Sequence, residues 1–183
     1  MKKPWLWILI VVLLIALGII ISVIVSKRRD ARINRFEFPS TVLVNNYTPH
    51  WYADTMAMVI INKIYGYDSI SVNIYHAPKH LSTDEYEIIG FIQKVPFQAH
   101  SYNIFVKQGN LPISIKRFLS HELIHLHQME MGDLVQIDYT KIVYKGDTIY
   151  FSQVPYEKRL YEIEASLHEN GIQKALNKLL YSK

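Results

Sequence analysis

The chain has no cysteine among its 183 residues. That excludes disulfide staples and thiolate metal ligands, and it does not fix a compartment. No internal repeat and no low-complexity segment interrupts it. Thirteen tyrosines are present without a base-stacking motif, so packing explains them and nucleic acid is not expected as a partner. Acids are scarce near the start, where Asp30 is the one carboxylate close to Lys27, Arg28, Arg29, Arg32 and Arg35. The net charge of +4 comes largely from that cluster. It reads as a topology and lipid-headgroup signal rather than a nucleic-acid patch.

The first long feature is apolar. Residues 5–25 read WLWILIVVLLIALGIIISVIV, with Gly18 and Ser22 as the only interruptions. A helix of that length spans about 30 Å, the thickness of a bilayer core. Trp5 and Trp7 would serve as aromatic anchors at one interface. A cleaved signal peptide would have a shorter apolar region and a small-residue site, and no clear A-x-A site is present. An uncleaved single-pass membrane anchor is therefore expected, with the lipid bilayer as partner through residues 5–25. The expected division is an N-terminal tail (1–4), a transmembrane helix (5–25), a basic juxtamembrane stem (26–35) and one domain (36–183). Counting basic residues on the two flanks favours a cytoplasmic side for that domain, although a short basic start also suits export.

The most informative stretch is Ser120-His121-Glu122-Leu123-Ile124-His125-Leu126, which spells H-E-x-x-H. On a helix, His121 and His125 project from one face one turn apart and can bind one Zn²⁺ together. Glu122 stands beside the first ligand and can reach a metal-held water as general base. Phe118, Leu119, Leu123, Ile124, Leu126 and Met129 recur at helical intervals, Pro112 suits the first turn and Gly132 the end. The competing reading is a buried amphipathic helix whose histidines face a polar groove. His127 points away from the ligand face and is expected to be a satisfied or surface histidine. No histidine follows at the metzincin spacing H-E-x-x-H-x-x-G-x-x-H.

A catalytic zinc site needs a third protein ligand and one open position. With H-E-x-x-H followed by Glu162, Ala165 and Ser166, the chain resembles the gluzincins, zinc peptidases whose third ligand is a glutamate on a later helix. The resemblance covers the two helices and, loosely, the segment leading into them. It implies one Zn²⁺ per chain held by His121, His125 and Glu162, with Ala165 allowing the two helices to approach. Ser166 departs from the pattern, since Asp or Asn usually stands there to support a ligating histidine. Glu164 is the alternative third ligand; it lies about 200° round the helix from Glu162, on a face with Leu160 and Leu167 that reads as core. Tyr156, Arg159 and Tyr161 are candidate transition-state stabilisers.

Elsewhere the pattern predicts a helix over 51–65 ended by Gly66, and strands over 70–75, 86–95 and 102–107. A β-hairpin is expected from 141–144 and 148–151 around Lys145-Gly146-Asp147. The glutamate helix then closes the chain, with Gly171 as a candidate break. The expected fold is α+β: a transmembrane helix, then a minimal zincin-like domain of helix, three-strand sheet, H-E-x-x-H helix, hairpin and glutamate helix. By resemblance, a strand around 88–93 would lie at the cleft edge, where a substrate peptide could add by main-chain pairing. Two functions are expected from this reading. One is a membrane-tethered zinc hydrolase acting on a protein, a short peptide or a peptidoglycan peptide. The other is a catalytically inactive zincin-fold interaction module anchored in the membrane.

Overall fold

The computed structural model describes residues 14–15, 17–21, 41–50, 52–77, 90–106 and 112–181, with side chains in the last stretch from 115 to 180. Two compact units divide the chain, Met1–Glu37 and Phe38–Lys183. The expected membrane-spanning helix is corrected here. Among the described residues no helix is long and apolar enough to cross a membrane. A span needs about 20 consecutive helical residues, whereas the described helical pieces within 5–25 are residues 14–15 and 17–21. The rest of that segment, and the whole of the expected stem at 26–35, lie outside the described residues.

The second unit is α+β. Its first sheet has four strands, β1 (Val42–Asn46), β2 (Ile70–His76), β3 (Gly90–Lys94) and β4 (Ser101–Val106), in the order β1-β2-β4-β3. β1, β2 and β4 run parallel, and β3 pairs antiparallel to β4 at the sheet edge. Period-two alternation divides the faces. Ile70, Val72, Ile74, Tyr102, Ile104 and Ile92 are buried on one. Across the other, Asn45, Asn73 and Asn103 form an amide ladder, with bonds of 3.0 and 3.1 Å. A parallel row of rings, Tyr47, Tyr75, Phe105 and Phe91, stacks beside it at centroid spacings of 4.9, 5.7 and 4.6 Å. The three-strand expectation missed β1, whose short alternating run VLVNN carries little signal of its own.

Helix α1 (Ala53–Met58) continues as a π-helical turn (Val59–Ile64) and ends at Gly66, whose φ of 77° needs a glycine. Helix α2 (Pro112–Glu130) carries the H-E-x-x-H motif. It closes in a Schellman motif: Asp133 N–H donates to Gln128 O at 2.9 Å and Gly132 N–H to Met129 O at 3.2 Å, with Gly132 at φ 79°. A second sheet follows, β5 (Leu134–Gln136), β6 (Lys141–Tyr144) and β7 (Asp147–Tyr150), all antiparallel. The hairpin loop has two residues, Lys145 and Gly146, both left-handed at φ 49° and 91°. That is the turn whose twist matches its strands, and it moves β7 one residue earlier than expected. A 3-10 turn (Tyr156–Lys158) leads into α3 (Leu160–Tyr181), which runs through Gly171 without a break.

α2 and α3 lie antiparallel. Their cross-pairs, Lys116 with Asn177, Arg117 with Glu169, His125 with Glu162 and Gln128 with the Tyr161 carbonyl, ascend on one helix and descend on the other. Ala165 is fully buried between them, which permits the close approach. Leu160 and Leu167, read from sequence as core, are 60% and 75% exposed, so that face of α3 points outward.

β3 reaches α2 through Gly90. A Cβ there would penetrate both the Phe118 ring and the Phe105 carbonyl oxygen. Gly90→Ala should therefore lower the unfolding free energy by about 1–3 kcal/mol, the usual cost of overpacking. Urea denaturation measures it, and an unchanged midpoint would show that β3 is not held against α2 at this point.

Candidate metal centre

One turn of α2 places His121 and His125 edge to face, with ring centroids 4.8 Å apart. Their Nε2 atoms lie 3.1 Å from each other. The carboxylate of Glu162, in the first turn of α3, brings Oε2 to 3.0 Å from His121 Nε2 and 3.3 Å from His125 Nε2. One ligand atom from each of the three residues lies within 4.8 Å of the others, so the group could hold a metal ion. Glu164 is turned elsewhere: its Oε2 accepts from the Tyr144 hydroxyl and from Lys145 Nζ at 2.8 Å. The helical offset between positions 162 and 164 separates a buried carboxylate facing the histidines from a half-buried one in an ion pair.

The outer ring nitrogens are tied down by residues the motif does not announce. Gln128 Nε2 donates to the Tyr161 carbonyl at 3.3 Å, which leaves its Oε1 to accept from His125 Nδ1 at 2.8 Å. His121 Nδ1 faces Glu169 Oε2 at 3.7 Å. Glu169 is itself fixed by Arg117 Nε at 2.7 Å and Gln173 Nε2 at 3.1 Å. Protons on both Nδ1 atoms would leave both Nε2 lone pairs aimed at the centre, the tautomer a metal-binding histidine needs. Three electron-rich atoms then converge. Their mutual repulsion requires a positive charge among them, either an added imidazole proton or a cation. The donor set of two imidazoles and one carboxylate fits a first-row metal such as zinc.

Ser166, the position that usually supports a histidine in the resembling family, is exposed. Glu169 stands in its place. It lies seven residues, nearly two helical turns, after Glu162, so the two carboxylates share a face of α3. That spacing, with Gln128 three residues after His125, was the available sequence signal. His127 is apart from the site: it stacks on Tyr65 with centroids 4.3 Å apart, and its Nδ1 bonds the Tyr67 hydroxyl at 2.8 Å.

The charges are strongly coupled. Burial pushes the Glu162 carboxyl up, but hydrogen bonds from His121, His125 and Tyr156 overcome that and hold it well below the usual carboxylate range. Burial alone would lower His125, and the Glu162 and Glu122 carboxylates outweigh it and raise it. Glu122 is buried beside the trio, accepts a hydrogen bond from the Ile92 main-chain N–H of β3, and is pushed up to about 6, chiefly by burial.

The three expected stabilisers are placed differently from one another. The Tyr156 hydroxyl donates to Glu162 Oε2 at 2.7 Å. Tyr161 packs its ring 5.5 Å from His125, and burial, reinforced by the Glu162 carboxylate, pushes it up to about 12. Arg159 donates to the carbonyls of Val154 and Phe151 at 3.1 and 3.3 Å and lies over the Phe151 ring, which anchors the entry to α3. Glu122, His125 and Glu162 open into a cleft of about 1110 Å³ whose roof is β3. Comparison with protein families, with characterised proteins and with solved structures finds no match to this chain.

Glu122 gives a pH test. Its folded value is raised from 4.5 to about 6, so folding favours its protonated form. The native state is least penalised below the unfolded value and loses about 2 kcal/mol as pH rises through the folded one. In metal-free protein, Glu122→Gln should match wild type near pH 4 and be about 2 kcal/mol more stable at pH 7 by urea titration. An offset independent of pH would rule out the burial effect.

Proposed function

We propose that this protein is a zinc-dependent hydrolase that cleaves peptide bonds, with His121, His125 and Glu162 as ligands and Glu122 as general base. The convergence of His121 Nε2, His125 Nε2 and Glu162 Oε2 carries the reading. Support comes from the buried Glu122 beside them and from the cleft that opens under an edge strand. Zinc held by His121, His125 and Glu162 would supply a Lewis acid for the scissile carbonyl and for the attacking water.

The rest of the chemistry belongs to the chain. Glu122 takes the proton of the attacking water and passes it to the leaving amine. The Ile92 N–H holds one side of that carboxylate, so the base keeps its direction while its charge changes. Gln128 and Glu169 hold the two imidazoles with Nε2 inward. Tyr156, whose hydroxyl reaches Glu162 from the cleft wall, is the donor closest to where negative charge would develop on the carbonyl oxygen. The side of β3 away from β4 runs along the cleft, which suits an extended polypeptide substrate.

The full chain should bind about one Zn²⁺ after dialysis, read by elemental analysis, as a three-ligand site requires. His121→Ala, His125→Ala and Glu162→Ala should lose it, while Glu164→Ala keeps it. Glu122→Gln should retain zinc and lose at least 100-fold in turnover of unfolded casein, the ordinary weight of a general base. Stoichiometric zinc in both histidine variants, or full turnover in Glu122→Gln, would overturn the assignment. Gln128→Ala and Glu169→Ala should each weaken zinc binding about 10- to 100-fold without abolishing it; wild-type affinity in both would remove their role in fixing the rings.

A further inference from the structure

The outward side of β3 is not bare. Gln136, the last residue of β5, sends its side-chain amide onto it: Nε2 donates to Ile92 O at 2.9 Å and Oε1 accepts from Lys94 N–H at 3.1 Å. A primary amide is the same donor and acceptor as a peptide group. The two bonds are those that one residue of a neighbouring parallel strand would make to a β3 edge. Gln136 is exposed, so its bonds compete with water and each is worth little net. An incoming strand needs Ile92 C=O and Lys94 N–H whichever way it runs. It cannot pair with β3 until Gln136 lets go.

We propose that Gln136 is a built-in competitor for the substrate main chain, a latch that an extended polypeptide must displace to reach the metal centre. This rests on the hydrolase reading and adds a selectivity to it. Apolar side chains flank the latch: Val135 and Ile137 on either side of it are 45% and 50% exposed, and Tyr139 and Phe97 are almost wholly so. Val95, Phe97, Ile137 and Tyr139 all line the cleft. An extended chain with large apolar side chains gains burial there as it replaces the two amide bonds. A short polar peptide gains nothing to offset them. Ile92 also joins the latch to the chemistry, because its C=O holds Gln136 while its N–H holds Glu122.

The test uses full-length wild type, Gln136→Ala and Gln136→Asn, the last keeping an amide that is too short to reach β3. The probe is an acetylated heptapeptide of alternating threonine and leucine, titrated calorimetrically into metal-free protein. Both variants should bind it about fivefold tighter than wild type, the worth of a hydrogen bond or two. A twin peptide N-methylated on alternate amides should show no gain. Acetohydroxamate, which seeks only the metal, should bind zinc-loaded wild type and variants alike. Equal or weaker heptapeptide binding in both variants, no binding to either, or the same gain for the methylated twin would overturn the latch. Failure of acetohydroxamate to bind would count against the zinc site alone, since the heptapeptide comparison is made without metal.

Discussion

Two imidazole nitrogens and a carboxylate oxygen stand 3.0–3.3 Å apart between two helices. The arrangement of α2, α3 and β3 around them answers the demand this makes. The helices must approach closely, and Ala165 is fully buried where they do. The rings must not rotate, and Gln128 bonds the outer nitrogen of His125 while Glu169 faces that of His121. Glu169 must not drift, and Arg117 and Gln173 hold it in turn. The chain of constraint runs from the centre outward to the surface of α3, each carboxylate or amide fixed by the next.

The same logic links the centre to the sheet. Among the described strands of its sheet, β3 alone runs antiparallel to its neighbour, β4, and it does so at the sheet edge. Gly90 lets its first residue lie against Phe118. Two residues on, the N–H of Ile92 meets Glu122 and its carbonyl meets Gln136. One peptide unit either side of Ile92 therefore touches both the proposed base and the surface where a substrate chain would lie. A change at the strand edge is felt at Glu122 without any long relay, through a single hydrogen bond.

How much of this the sequence disclosed depends on how local each feature is. H-E-x-x-H is legible because two histidines four apart on a helix face one point whatever surrounds them. Glu162 needed a resemblance, because a ligand 37 residues beyond His125 is fixed by helix packing. Glu169 and Gln128 went unnoticed for the same reason: their helical spacing was visible, but which face meets the other helix was not. Leu160 and Leu167 misled, since an apolar pair at seven-residue spacing reads as core and here faces outward. β1, five residues long, gains its strand character from β2, a partner distant in sequence, and β5 is only three residues long. The membrane span was inferred from the length of an apolar run and its flanks, which state a hydropathy, and among the described residues no helix is long and apolar enough to cross a membrane.

The energetics argue that this cluster is not there for packing. Among the described residues, Glu122, His125, Gln128, Glu162 and Glu169 make up five of the seven buried polar or charged side chains. Burying ions costs several kcal/mol each, and even well-paired buried charges are often no better than apolar residues of the same volume. Helix packing alone would be served by leucines at these positions. Glu122 illustrates the cost most directly, since it has fewer compensating bonds than Glu162 and its carboxyl is accordingly pushed up rather than down. Two carboxylates a few ångströms apart are thus driven in opposite directions by their surroundings: one kept ionised among imidazoles, the other poised to exchange a proton near neutral pH. That division matches the ligand and general-base roles proposed for the two residues. It arises here because Glu162 faces both Nε2 atoms, while Glu122 accepts a main-chain N–H from the edge strand.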